Sequence, residues 1–484
     1  MNPKTLQRLT GVLLLLSGLW LLPPTFVAWY YDGHIGSLPF ASSALLELLL
    51  GVALFWPLRA ESSDLRVRDG FLIVVIAWLV FAVSGALPMW LLKDPHIGFV
   101  DGMFEAMSGL TTTGATVLTG LDDMPRGLLY LRSQLQWLGG MGIVVLAVAI
   151  LPMLRIGGMQ LFRAETPGPM KDAKLTPRIT ETAKALWLIY LVITICCAMA
   201  YWVAGMSLFD AVNHSFTTIP SGGFSTHDDS MGFFDSGLIE FICMVFMFVG
   251  TVNFSLHFIS WRQISVQHYF RDSELRAYMM LIALFIVIIS LDVYRQGIAP
   301  DIIGAFRLGA FQTVSAMTTT GFSTESFYLW PGFSALLLIL ISVIGASAGS
   351  TGGGVKIIRV LLLGKQVARE IRQLIHPRAE LTIKYGGRVI SDAVISAVWA
   401  FFFMYSATIV LAGFVLHMIG LDIVTAFSAT IACITSLGPA LGEAGPNFIS
   451  LPDSAKLILA LVMLLGRLEI FTLLVLFMPS FWQD

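Results

Sequence analysis

The sequence predicts an all-α polytopic membrane protein with ten transmembrane helices, two N-terminal spans preceding four parallel repeats set around one axis. Three observations carry that prediction. The 484-residue chain is 56% hydrophobic and only 12% charged, with a mean hydropathy of +0.81, far outside the range of a soluble globular domain. Its apolar residues fall into ten runs near the length of about 20 residues that a helix needs to cross the hydrocarbon core. A small, hydroxyl-rich stretch also recurs: Leu110–Val117 reads LTTTGATV, Ile219–Thr226 reads IPSGGFST and Ser315–Ser326 reads SAMTTTGFSTES.

The runs lie near 11–31, 36–57, 70–92, 128–154, 183–205, 237–261, 277–298, 332–362, 391–419 and 454–479. The first is too long for a cleavable signal peptide and lacks a small-residue cleavage site, so it is expected to remain as a span. Shorter mixed segments at 101–110, 208–219, 302–317 and 422–434 follow the third, fifth, seventh and ninth spans. Segments of about 10 to 14 residues read as re-entrant pieces rather than spans. Each precedes a Gly-containing polar stretch, which divides the chain into a two-span domain at 1–66 and repeats at 67–160, 161–265, 266–375 and 376–484.

Charge orients the chain. With the N-terminus in the cytoplasm, the N-terminal tail and the loops at 58–69, 155–184, 262–276 and 356–388 hold 22 of the 29 Lys and Arg, as the positive-inside rule requires. The opposite face carries Asp94, Asp101, Asp122, Asp123, Asp210, Asp228, Asp229, Asp235, Asp292, Asp301, Glu325, Asp422, Glu443 and Asp453, an acidic mouth that attracts cations. A net charge of −2 gives no indication of nucleic acid. Cys196, Cys197, Cys243 and Cys433 lie in apolar segments without metal spacing, so neither a disulfide framework nor a zinc site is expected.

Two spans separate successive polar stretches, so all four open on the same side and the repeats share an axis along the membrane normal. Four such units enclose a pore. Non-helical backbone is tolerated at membrane depth where it lines a water-filled cavity. A half-helix of about 12 residues rises about 18 Å and ends near mid-membrane with its negative end towards the axis, where cations are favoured. The strand that returns outward needs a glycine to turn its carbonyls to the lumen, where rings of them replace an ion's hydration shell. The candidate linings are Thr111-Thr112-Thr113-Gly114, Pro220-Ser221-Gly222-Gly223, Thr318-Thr319-Thr320-Gly321 and Thr435-Ser436-Leu437-Gly438. One such stretch alone reads as a helix C-cap followed by a loop. Four at equivalent places read as a lining.

The fourfold long-short-long layout, with TTTGAT, PSGGFST, TTTGFST and TSLGPA at its centre, resembles the Trk/Ktr/HKT superfamily of potassium transporters. The two extra N-terminal spans, the length and GASAGSTGGGVK resemble the membrane subunit of bacterial Trk uptake systems. The resemblance implies four M1-P-M2 units in a potassium-channel-like, pseudo-fourfold pore of the bacterial inner membrane, with potassium as the transported ion and no cofactor in this chain. It carries the key filter glycines to Gly114, Gly223, Gly321 and Gly438, and carbonyl donors to the residues two and three places before each. Pro220 and Ser221 depart from the Thr pair in the second unit, and Leu437 and Pro439 flank the glycine of the fourth.

Two further segments read as gates. Gly345–Gly354 contains five glycines (Gly345, Gly349, Gly352, Gly353 and Gly354) and is too glycine-rich for a stable helix. It reads either as a kink for close helix packing or as an intramembrane loop beneath the filter that moves for ions to pass, and the resemblance favours the loop. It is no P-loop, because Lys356 does not follow a glycine. Arg467 lies near the middle of the last span with Glu469 close by. A cation at that depth either pairs with a buried carboxylate or helix carbonyls, or faces the pore and raises the barrier to a passing cation. Glu47, in the second span, reads as a packing or partner residue.

No Walker or G-x-G-x-x-G motif follows a strand, so nucleotide sensing requires another chain. The resemblance implies a cytoplasmic TrkA-type nucleotide-binding ring as that partner, and a homodimer with one pore per protomer. A second reading is a secondary transporter whose coupling ion binds at the broken eighth helix. An intramembrane enzyme is disfavoured by the lack of HExxH, of GxSxG and of paired acids on one face of a span.

Overall fold

The computed structural model describes residues 3–59, 67–145, 179–379 and 381–483. The inner end of the fourth expected span, most of the basic loop at 155–184 and residues 60–66 of the loop at 58–69 lie outside the described residues. Among the described residues the regular secondary structure is helical apart from a hairpin of two-residue strands pairing Lys384–Tyr385 with Arg388–Val389.

Among the described residues six helices are long and apolar enough to cross a membrane, and eight spans result when each of two sharply bent helix pairs counts as one. The first, Lys4–Tyr31, turns within Asp32 and Gly33 into Gly33–Leu58. At that turn the Asp32 carboxylate accepts the N–H groups of Arg126 and Gly127 at 2.8 Å, satisfying two orphan donors at the start of Arg126–Val145, the inner helix of the first repeat. Arg126–Val145 is the described part of the fourth expected span.

The four short helices stand where the sequence places them, at Phe99–Leu110, Leu208–Thr218, Ile302–Met317 and Ile423–Thr435. Three begin on side-chain caps: Ser207 accepts from Asp210, Asp301 from Gly304, and Asp422 from Val424 and Thr425. Their C-terminal turns are almost wholly buried.

The inner helices differ from expectation. The sixth expected span is two helices, Gly237–Gly250 and Phe254–Arg262, that meet at 92°. The break has local chemistry, because Gly250 closes one helix and the Asn253 side chain caps the next by accepting from Ser255. The last span is also bent, by 108°, between Asp453–Arg467 and Phe471–Phe477. Its corner holds Glu469 and Ile470, both at φ 55°. In the third repeat the expected span at 332–362 overshoots: helix Ser334–Ile344 stops at Gly345, an irregular stretch follows to Lys356, and an amphipathic helix runs from Ile357 to Ile375. The basic segment at 356–388, read from sequence as a loop, is therefore largely helical. Among the described residues, three of the four inner helices are broken.

The core divides by repeats. One buried apolar cluster joins the N-terminal spans with the first and fourth repeats, and a second joins the second and third.

Candidate functional site

The four short helices end on the same hydrogen-bonded cap. The N–H of the residue before each key glycine bonds the carbonyl five residues back: Thr113 to Ser108 at 2.8 Å, Gly222 to Thr217 at 2.9 Å, Thr320 to Ser315 at 2.9 Å and Leu437 to Ala432 at 2.8 Å. One residue earlier the bond spans three residues, from Thr112 to Gly109, Ser221 to Thr218, Thr319 to Ala316 and Ser436 to Cys433. This is the Schellman pattern, in which a left-handed residue closes the helix. Here that residue is never glycine. Thr112, Ser221, Thr319 and Ser436 sit at φ 55°, 58°, 54° and 58°. For β-branched threonine such a conformation is an outlier that the surroundings must impose, and such outliers cluster at functional sites.

The cap reading and the lining reading therefore describe one object. Beyond each cap the glycine is again left-handed: Gly114 at φ 81°, Gly223 at 77°, Gly321 at 79° and Gly438 at 90°. A Cβ on Gly114 would overlap the carbonyl oxygen of Gly222, one on Gly223 that of Thr320, and one on Gly321 that of Leu437. The ring closes at Gly438, whose Cβ would stand 2.6 Å from the Thr113 oxygen. Each repeat thus lays its glycine against the residue before the glycine of the next. The four strands form a closed cycle, the fourth included despite Leu437, and the negative ends of four helix dipoles meet beneath it.

On one side of the ring lies a cavity of about 380 Å³, lined by all four glycines and by Arg132, His227, Asp228, Asp229 and Glu325 among others. The acidic mouth read from sequence is narrower than the count of carboxylates. Asp101 pairs with Lys456 at 2.6 Å, Asp235 lies 3.8 Å from Arg307, Asp292 accepts from Ser334, and Asp301 and Asp422 cap helices. At the cavity wall the buried pair Glu105–Arg132, at 2.7 Å, ties two of the glycine stretches together. Glu105 accepts Thr116 Oγ1 and the Val117 N–H at 2.9 Å, while Arg132 donates to the Ser225 carbonyl at 3.0 Å. Among the described residues no group of three or more His, Cys, Asp or Glu side chains is placed to hold a metal ion.

On the other side, glycines of three inner helices press against the short helices. A Cβ on Gly139 would overlap the Leu110 carbonyl, one on Gly466 that of Ile434, and one on Gly250 would stand 2.5 Å from that of Ile219. In all three the carbonyl belongs to the residue four before the key glycine. Sequence reading did not single these out, although each follows its key glycine by a similar spacing. In the third repeat the Gly345–Gly354 stretch fills this place. Thr351 Oγ1 lies 2.9 Å from the carbonyls of both Ile219 and Gly250 and 3.1 Å from Ser221 Oγ. The Gly353 N–H donates to Thr319 Oγ1 at 2.7 Å, and a Cβ on Gly353 would overlap the Thr435 carbonyl. Gly349, at φ 68°, turns its carbonyl to the Phe254 N–H at 3.0 Å. Gly345 and Gly354 abut each other where the stretch doubles back, and a Cβ on Gly352 would meet Ala346.

Arg467 joins this layer. Its Nη1 donates to the Thr351 carbonyl and its Nη2 to that of Gly139, each at 3.0 Å, and the residue is 3% exposed. Its hydrogen-bond partners are thus backbone carbonyls, one of them in the glycine-rich stretch, rather than a carboxylate. Glu469 instead pairs with Arg359 at 2.8 Å, and Glu47 accepts from Ser84 at 2.8 Å in the third span.

A helical, polytopic membrane protein built of four re-entrant repeats around a pseudo-fourfold centre is the class that this fold and site define. The sequence matches the family described as TrkH: Cation transport protein over residues 38–484, and the chain belongs to that family. It is 48% identical to the Trk system potassium uptake protein TrkH of Vibrio parahaemolyticus, 46% to TrkH of Escherichia coli K12 and 39% to TrkG of the same strain, over 99% or more of each chain. The crystal structure of the potassium transporter TrkH from Vibrio parahaemolyticus superposes over the whole of both chains with a TM-score of 0.92 at 46% identity. These relatives bear the names of uptake proteins and not of enzymes, in line with the motifs missing from the sequence.

Proposed function

We propose that the chain takes up potassium through the ring at Gly114, Gly223, Gly321 and Gly438, with backbone carbonyls of the four preceding stretches replacing the ion's hydration shell. The observation that carries the reading is the cyclic contact of each glycine with the next repeat's carbonyl, which brings four separate stretches to one centre. The relatives named above as potassium uptake proteins support the choice of ion.

In this reading the cavity beside Asp228, Asp229 and Glu325 is the outer vestibule, and the glycine-rich stretch with Arg467 is the barrier beneath the filter. A fixed guanidinium there raises the cost of a passing cation, and the stretch must shift for conduction. Assembly as a homodimer in the bacterial inner membrane, N-terminus in the cytoplasm, with a cytoplasmic nucleotide-binding ring that moves the stretch, rests on family resemblance and on the lack of a nucleotide motif in this chain.

Purified protein in vesicles with an outward potassium gradient tests the reading through isotope uptake. Accumulation of rubidium or potassium in excess of sodium is the expected result. Equal passage of all three, or of none in a folded preparation, overturns it.

A further inference from the structure

The four strands follow one path but are not held by one means. In the first repeat Thr111 Oγ1 and Thr113 Oγ1 meet at 2.8 Å, and in the third Thr318 Oγ1 and Thr320 Oγ1 do the same at 2.8 Å. Thr111 and Thr318 each spend their own proton on a helix carbonyl one turn back, Met107 O and Val314 O, both at 2.7 Å. The staple protons therefore run from Thr113 to Thr111 and from Thr320 to Thr318. Each strand fastens itself to its own helix end.

The second strand has no such staple. Pro220 and Gly222 stand in the two places, and neither carries a hydroxyl. With Gly222 and Gly223 adjacent, this is also the strand whose backbone has most freedom to lose. Its restraint comes from the neighbouring repeat. Gln136, wholly buried in the inner helix of the first repeat, donates from Nε2 to the Gly222 carbonyl at 2.7 Å and accepts the Phe224 N–H at Oε1 at 3.1 Å. Donor and acceptor bracket Gly223 and fix the peptides on both sides of it. Helix and strand are fitted to each other, because a Cβ on Gly222 would overlap the Gln136 carboxamide.

We propose that Gln136 is the positioning residue of the second filter strand, its carboxamide doing from outside the strand what paired threonine hydroxyls do within the first and third. The proposal rests on reading the four strands as a selectivity filter. It adds a selectivity determinant outside the four filter stretches.

Two variants test it in purified protein in vesicles, scored by the ratio of potassium to sodium uptake. Gln136→Leu keeps the bulk and removes both bonds; Gln136→Glu keeps an acceptor for Phe224 and turns an oxygen on the Gly222 carbonyl. Both are expected to lose roughly tenfold or more in the ratio, the scale of one or two buried groups left unpaired, while uptake itself persists. A third protein, Gln136→Ala with Pro220→Thr and Gly222→Thr, rebuilds the hydroxyl staple in the vacated space and is expected to regain most of the discrimination. That rescue decides the matter if the single variants fold poorly. An unchanged ratio in Gln136→Leu and Gln136→Glu overturns the proposal, as does a folded triple variant without discrimination. Gly114→Ser serves as the reference: if it loses discrimination while the Gln136 variants keep theirs, only this proposal falls, and if it too is unaltered, the filter reading falls with it.

Discussion

Arg467 Nη1 donates to the Thr351 carbonyl at 3.0 Å, so a buried hydrogen bond ties the charged end of the last inner helix to the glycine-rich stretch of the third repeat. Arg467→Ala removes both the fixed charge and the bond. A hydrogen bond from a charged donor contributes about 1.5 to 3 kcal/mol, so potassium flux is expected to rise on the order of tenfold or more. Tracer uptake into vesicles checks this. Unchanged flux in folded Arg467→Ala protein would mean that Arg467 serves only to satisfy the Gly139 and Thr351 carbonyls.

Thr351 ties the same stretch through its side chain as well. Its hydroxyl lies between the Ile219 and Gly250 carbonyls, with Ser221 at 3.1 Å. Thr351→Val preserves shape and strands those groups, at a cost of about 1 to 3 kcal/mol. Flux is expected to rise as in Arg467→Ala, and the double variant is expected to gain less than the two combined, because both act on one segment. Strict additivity would separate Arg467 from the stretch.

The Glu105–Arg132 pair is buried at 0% and 1% side-chain exposure. Glu105→Gln leaves the guanidinium without its counter-charge, a loss of about 3 to 5 kcal/mol in stability. Replacing both, as Glu105→Gln with Arg132→Met, is expected to cost less than Glu105→Gln alone. Thermal melting in detergent measures both. A larger loss in the double variant would show that Arg132 acts through the Ser225 carbonyl and the Phe224 ring, which lies 4.2 Å from its guanidinium, rather than through Glu105.

His227, in the loop that lines the cavity, hydrogen-bonds Asp122 and lies 3.5 Å from Asp210. Burial works to lower its pKa, but the nearby carboxylates of Asp210 and Asp122 outweigh it and hold the imidazole above its ordinary 6.5. A raised histidine pKa gives stabilisation that is complete below 6.5 and is lost as pH climbs through the folded value. The melting temperature should therefore fall on the alkaline side of 6.5, and that slope should vanish in His227→Gln. An identical slope in His227→Gln would assign the titration elsewhere.

The spans, the short helices and the four glycine stretches were legible because each has a pattern of its own: a long apolar run, a shorter mixed run, a Gly among hydroxyls. The break after Gly250 was legible in principle, since Asn253 is an N-cap residue, but the unbroken apolar run around it masked the signal. Nothing local marks the corner at Glu469 and Ile470, where two non-glycine residues stand at positive φ. The same holds for Thr112 and Thr319, whose left-handed caps no propensity favours. Leu437 looked like the weak point of the ring because it lacks a hydroxyl, yet its place in the cycle is made by its backbone carbonyl, which any residue supplies. Gln136 was invisible for the opposite reason: a lone Gln in a helix acquires meaning only when the second strand lies against it.

The central claim is that four unequal strands make one potassium-selective ring. Serine substitutions at Gly114, Gly223, Gly321 and Gly438, assayed one at a time for potassium, rubidium and sodium uptake by purified protein in vesicles, test it most directly. Each added Cβ meets the next repeat's carbonyl, so discrimination against sodium is expected to fall at several of the four, with Gly438, where the approach is loosest, affected least. Four folded variants that all retain the discrimination of the unaltered protein would contradict the claim.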